Sequence, residues 1–254
     1  MASKELEPRS PSPSCAKILM LHGEGQSGQF FRCKTEFLQP SVRSMLLNST
    51  CKDTSQSPFN EVRFYYPSGL LPDNPDTSPD EKALKRTWGY GDVELERIRG
   101  LETTIDYILR FLDSHGPFIG IMGFSSGAII AATVASLLEK RRSIGSLRFN
   151  ASHPSLDFVV SFCGCPLEHS LYKPLYNPKI ETPTLHVIGT IDTTIDECQS
   201  LRLLDYCTDS ALHYFFGTHH VPRSVDFLDA LTRFFEHVYK DKEGEGDEWE
   251  DLDD

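Results

Sequence analysis

No apolar run in this 254-residue sequence is long enough to span a bilayer. The opening stretch, MASKELEPRSPSPSC, lacks the apolar core of a secretory signal, so export by that route is not expected. The seven cysteines (Cys15, Cys33, Cys51, Cys163, Cys165, Cys198 and Cys207) are odd in number and scattered, and no C-x-x-C pair occurs. Their spacing matches no zinc or disulfide framework. Reduced thiols and a cytoplasmic setting are the expectation, with no metal site. No tract interleaves basic and aromatic residues, so nucleic acid is not an expected partner. No segment reads as membrane-facing, and no internal repeat is present.

The charge that is present is uneven. The net charge is −12, of which the last fourteen residues, DKEGEGDEWEDLDD, contribute −8, leaving −4 on the rest. Residues 241–254 therefore read as an acidic disordered tail, and residues 1–15, rich in Pro and Ser, as a disordered leader. Residues 16–240 are enough for one domain with one large core.

Within that domain, strand-like and helix-like segments alternate. Ala16–Leu21, Glu61–Tyr66, Phe118–Met122, Asp157–Gly164, Thr184–Thr190 and Ser210–Phe216 read as strands. Helices are expected over Cys33–Leu47, over Leu101–His115 (apolar at 101, 105, 108, 109 and 112), from Ala128 to Lys140, over Glu197–Cys207 and over Val225–Tyr239. Such alternation predicts an α/β fold with a mostly parallel central sheet and helices on both faces. The stretch from Pro67 to Asp92 is rich in Pro, Asp and Ser and has no period, which fits a lid or binding loop.

The chemistry is concentrated where strands end. Residues 118–127 read FIGIMGFSSG. A short apolar strand meets Gly123-Phe124-Ser125-Ser126-Gly127, and a helix of good formers follows. In that setting G-x-S-x-G means a nucleophile elbow, with the Ser in a sharp turn and the glycines where strand and helix nearly touch. A serine hydroxyl needs a base to take its proton and a carboxylate to orient that base. Asp192 ends one later strand, and His219 and His220 end another, in the chain order Ser, Asp, His. Asp196 is a reserve acid, and helix-start logic alone does not choose between the two histidines. The oxyanion donors expected are the backbone N–H groups of Ser126 and of Glu24, the latter in the loop His22-Gly23-Glu24-Gly25. His22 is expected to pack beneath that loop. Tyr66, Trp88 and Tyr90 are the expected substrate-binding residues, from their aromatic character and position.

These stretches together resemble the fungal serine hydrolases of the FSH type. The matching segments are KILMLHGEGQSGQFF (17–31), GPFIGIMGFSSGAIIAA (116–132), FVVSFCGCPL (158–167), TPTLHVIGTID (182–192) and GTHHVP (217–222). The resemblance implies an α/β-hydrolase fold, no cofactor, and cleavage of carboxylic esters or acyl thioesters through an acyl-enzyme. It places the nucleophile at Ser125, the acid at Asp192 and, through G-G-H-x-V-P, the base at His219. This chain departs from the pattern at Ser126, where Gln is usual, and at Thr218, where the second Gly is usual. The chain looks especially like the free-standing members that accompany polyketide synthases. They imply a small acyl ester or thioester substrate, held in some cases on an acyl-carrier domain. A general small-ester carboxylesterase, a peptidase or lipase, and an idle hydrolase fold serving as an interaction module are the competing readings.

Overall fold

The computed structural model describes residues 14–48, 57, 59–92 and 97–240. Most of the proposed leader and the whole acidic tail lie outside the described residues. In chain order, strand β1 (Ser14–Leu21) is followed by α1 (Gly28–Thr35), α2 (Leu38–Asn48) and β2 (Phe59–Tyr65). Short elements come next: β3 (Leu71–Pro72), α3 (Pro79–Leu84), β4 (Arg86–Thr87), β5 (Tyr90–Asp92) and β6 (Arg97–Arg99). Then come α4 (Leu101–His115), β7 (Gly120–Phe124), α5 (Ser126–Lys140), β8 (Phe158–Phe162), β9 (Thr184–Gly189), α6 (Glu197–Asp205), β10 (Ser210–Phe215) and α7 (Val225–Lys240).

Six strands form one sheet in the order β10-β9-β8-β7-β1-β2, and every pairing is parallel. Side chains alternate across it. Leu19, Leu21, Ile121 and Val159 face a layer built from α4 and α5, while Ile18, Met20, Met122 and Val160 face α2 and α7. The three strands β7, β8 and β9 are buried at every position, as expected of parallel strands covered on both sides. Strand order reverses between β1 and β7, so the loops leaving their carboxyl ends diverge and open a crevice. Among the described residues no helix is long and apolar enough to cross a membrane.

Two expectations are corrected. The single helix over Cys33–Leu47 is two helices, because a continuous helix would drive the Pro40 ring into the carbonyl of Glu36. Pro40 instead sits in the first turn of α2, where its missing N–H costs nothing. The first helix also starts earlier, at Gly28, with the Ser27 side chain accepting from the Phe30 N–H at 3.2 Å. The stretch after Pro67 is not irregular throughout: β3 pairs with β4 and β5 with β6, both antiparallel. Arg86 stitches this arm together, donating to the carbonyls of Gly69 (2.8 Å), Lys82 (3.0 Å) and Leu70. Its own N–H donates to Gln26 O at 2.8 Å, tying the arm to the loop after β1. A 3-10 helix, Ser170–Tyr176, carries no periodic signal of its own yet buries Tyr172, Leu175 and Tyr176.

Candidate active site

Ser125 stands between β7 and α5 with φ 55° and ψ −121°, a conformation that a residue with a Cβ rarely adopts. The turn is held from below, where the Ser125 N–H donates to Phe162 O at 2.9 Å. Its tightness explains both flanking glycines. A Cβ on Gly123 would strike the carbonyl of Gly127, and a Cβ on Gly127 would strike the carbonyl of Leu21. Ser126 is the first residue of α5, so its N–H has no acceptor within the helix and faces the end where negative charge is favoured.

The loop after β1 lies against this turn. A Cβ on Gly23 would sit 2.8 Å from the Phe124 ring and 3.4 Å from the Ser125 Cβ. His22 fixes the loop from within. Its Nε2 accepts the Gly69 N–H at 2.9 Å, so Nδ1 carries the proton and donates to Gly23 O at 2.7 Å. Trp88 stacks on the His22 ring at 4.5 Å and donates to the His22 carbonyl at 2.7 Å. Burial lowers the His22 pKa to about 4, so the ring is neutral near pH 7. His22 thus packs beneath the loop, as the sequence led one to expect. The Glu24 carboxyl is raised by burial and by the neighbouring charge of Asp73, which favours its neutral form.

Asp192 and His219 come together from the ends of β9 and β10. The Ile191 N–H donates to Gly217 O at 3.1 Å, and Gly189 has no room for a Cβ beside the carbonyls of Gly217 (2.7 Å) and Thr218 (2.8 Å). Across this junction His219 Nδ1 meets Asp192 Oδ2 at 2.7 Å. The other carboxylate oxygen, Oδ1, accepts the N–H groups of Thr194 (2.9 Å) and Ile195 (3.1 Å). Burial alone would raise the Asp192 pKa, but the hydrogen bonds from His219, Ile195 and Thr194 outweigh it and hold the carboxyl below its ordinary value. The turn-capping hydrogen bonds that an Asp after Gly-Thr commonly makes and the hydrogen bond to His219 therefore use different oxygens of one side chain.

The alternatives are placed elsewhere. His220 turns its ring onto Phe215 at 4.9 Å and does not meet Asp192. Asp196 caps α6 in a reciprocal capping box with Gln199, which accounts for its carboxylate. Cys163, read from the sequence only as a reduced thiol, lies within 4.8 Å of both partners. It has φ 48°, is 1% exposed, and its thiol contacts His220 O at 3.8 Å. Burial first, then the Asp192 charge, pushes this thiol up to about 12.

A cavity of about 160 Å³ opens beside the turn, lined by Glu24, Trp88, Ile98, Leu101, Ser126 and Ile130 among others. Both expected oxyanion residues and Trp88 are on its wall. Tyr90 is not on that wall; its hydroxyl donates to Pro72 O, and only its neighbours Gly89 and Gly91 line the cavity. Tyr66 is further off. Its hydroxyl pairs with Thr35 Oγ1 at 3.2 Å and accepts from Gln39 at 3.4 Å, within the layer of α1 and α2. An aromatic residue next to a strand end can face either side of the sheet, and β2 turns this one away. A larger groove of about 650 Å³ between α2 and α7 contains none of these residues.

Comparison with known proteins follows the same outline. The model of a family described as serine hydrolase (FSH1) matches residues 12–231. A protein of Schizosaccharomyces pombe named dihydrofolate reductase is 29% identical over 232 residues, 86% of this chain and 46% of that one. The chain thus spans about half the length of that relative. Esterase FUS5 of Gibberella moniliformis is 30% identical over 237 residues, 88% of this chain and 87% of that one. Among solved structures, esterase PE8 superposes with a TM-score of 0.57 at 20% identity, covering 89% of this chain and 93% of that one. The shared architecture is the α/β-hydrolase fold.

Proposed function

The chain belongs to the serine hydrolase (FSH1) family, and from that premise we propose that Ser125, His219 and Asp192 act as its catalytic triad on a carboxylic ester or acyl thioester. The observation carrying this reading is the 2.7 Å Asp192–His219 hydrogen bond, with the His219 ring 4.8 Å from that of Phe124, the residue before the strained Ser125 turn. With Nδ1 donating to Asp192, His219 presents an unprotonated Nε2 as general base. The Ser125 oxygen attacks the acyl carbonyl while its proton passes to Nε2. The tetrahedral oxyanion is received by the N–H groups of Ser126 and Glu24, worth several kcal/mol of barrier. His219 returns the proton to the leaving alcohol or thiol, and an acyl-enzyme remains. Water activated by the same imidazole then releases the acid. None of these steps calls on a cofactor.

Trp88 and the apolar wall of Ile98, Leu101 and Ile130 receive the acyl group in this scheme. A polyketide- or fatty-acyl-derived group, delivered free or as a thioester on an acyl-carrier domain, is the proposed substrate class, and secondary-metabolite biosynthesis the proposed setting. A cytoplasmic location fits the six described cysteines, all of which are free thiols. A general small-ester carboxylesterase would use the same machinery, and relative turnover of matched esters and carrier thioesters separates the two.

The decisive experiment is labelling with a fluorophosphonate probe, followed by intact mass and peptide mapping. A single adduct on Ser125 that is lost in His219→Ala is the expected result. An adduct elsewhere, or none on folded protein, overturns the assignment.

A further inference from the structure

Cys163 is a nucleophilic side chain at this site that the hydrolytic scheme does not use. Its Sγ, a carboxylate oxygen of Asp192 and a ring nitrogen of His219 all lie within 4.8 Å of one another. The three arrive from the ends of three adjacent strands, β8, β9 and β10, so no spacing in the sequence announces the cluster. Thiolate, carboxylate and imidazole together are a donor set suited to zinc, whose tetrahedral bonds of about 2.0–2.3 Å need donors roughly 3.3–3.8 Å apart. Asp192 and His219 stand at 2.7 Å, closer than that range, and no pair of the three is more than 4.8 Å apart. A shift of about 1 Å in the loops would bring the donors into range. The Asp192 carboxylate is already anchored through Oδ1 by two backbone N–H groups, a supporting contact of the kind that orients metal ligands.

The geometry points to an inhibitory site for a zinc-class divalent ion, formed by Cys163, Asp192 and His219. Its effect on turnover rests on the triad reading above; its ability to bind does not. Either ring nitrogen gives the same outcome. Bound through Nδ1, the imidazole carries its proton on Nε2 and cannot accept the one from Ser125. Bound through Nε2, the lone pair that would accept it is taken by the ion. The thiol ionises on binding, so one proton leaves to solvent for each ion bound and no oxidant or reductant is required.

The test is a zinc titration of ester hydrolysis in the wild type and in Cys163→Ala, scored in each protein as the ratio of rates with and without the ion. That ratio removes any difference in basal rate. The wild type is expected to lose most of its activity and regain it with EDTA, and loss of the thiol ligand is expected to weaken inhibition by at least the roughly 10–100-fold that losing an outer-shell partner costs. Binding is read separately, as the ultraviolet charge-transfer band of a cadmium–thiolate bond. The wild type should show more of this band than Cys163→Ala, while the exposed Cys33 and Cys198 contribute equally to both. Cys163→Ser serves as the second variant if Cys163→Ala does not fold. Equal zinc sensitivity and equal cadmium bands in wild type and variant overturn the site. Ser125→Ala separates the two readings. If it still hydrolyses ester, the triad reading fails, whereas a Cys163-dependent cadmium band in that same variant keeps the ion site.

Discussion

His22 and His219 both follow a strand of the same sheet, one after β1 and the other after β10, and their surroundings could hardly differ more. His22 is fully buried with both ring nitrogens engaged, Nδ1 to Gly23 O and Nε2 to the Gly69 N–H. The His219 side chain is 18% exposed, and one nitrogen is engaged, with a carboxylate. The first arrangement builds a brace; the second leaves a lone pair to work with. Residue type and strand-end position are equal in the two cases. The fate of the second nitrogen makes the difference, together with whether the first faces a carbonyl or a carboxylate.

Four measurements can break or sharpen that contrast. His219→Ala should lower kcat/KM by about 10⁴–10⁶-fold, with a melting temperature close to wild type, measured with any ester the protein turns over. If activity survives, the working histidine lies elsewhere. His22→Ala should reverse the pattern, with a stability loss of about 3–4 kcal/mol in urea unfolding, because it strands the Gly69 N–H and leaves a void against Trp88. A stability close to wild type would show that the brace is not structural.

The third measurement is pH. The folded-state pKa of His22 lies below its unfolded value of 6.5, at about 4, so the unfolded chain takes up the proton first. Stability is then full above 6.5 and declines as pH falls from there towards 4, by roughly 2–3 kcal/mol from this one group. His186, likewise lowered by burial to about 4, adds to the slope. Comparing wild type with the His22→Ala variant across this window should show a shallower slope in the variant. Equal slopes would mean that His22 does not titrate as its burial dictates. The smallest effect is expected from His220→Ala, within about twofold in kcat/KM, because its ring lies on Phe215. A large loss would return His220 to contention as the base.

The strands and the turn at Ser125 were legible because local chemistry dictates them. Phe118–Met122 is too short and apolar for a surface helix, and Gly123 and Gly127 are needed wherever a strand and helix cross that closely. The order Ser, Asp, His was legible too, but the choice between His219 and His220 was not. Two adjacent histidines have the same composition and the same spacing. Only the resemblance to a family favoured His219, and in the fold the crossing of the β9 and β10 loops brings that ring, and not its neighbour, to Asp192. The aromatic residues show the same boundary. Trp88 reaches the cavity wall, while Tyr66 is carried to the opposite layer by a strand whose facing the sequence does not state. The place of Cys163 beside Asp192 and His219 was invisible for a similar reason, since they are 29 and 56 residues away in the chain. The strands of the arm after Pro67 are two or three residues long and have no room for a period.

The pairing of β1 with β7 has a kinetic meaning. Leu21 sits beside Gly123 in this parallel pair, and about a hundred residues of chain separate them. The loop carrying Gly23 and the turn carrying Ser125 become neighbours only once that long closure has been made, and such closures are slow steps in assembling parallel sheets. During refolding, the reactivity proposed for Ser125 should therefore return late, after most helical signal has recovered. The site is then a clock for the centre of the sheet: it starts to run when the two halves of the chain have met.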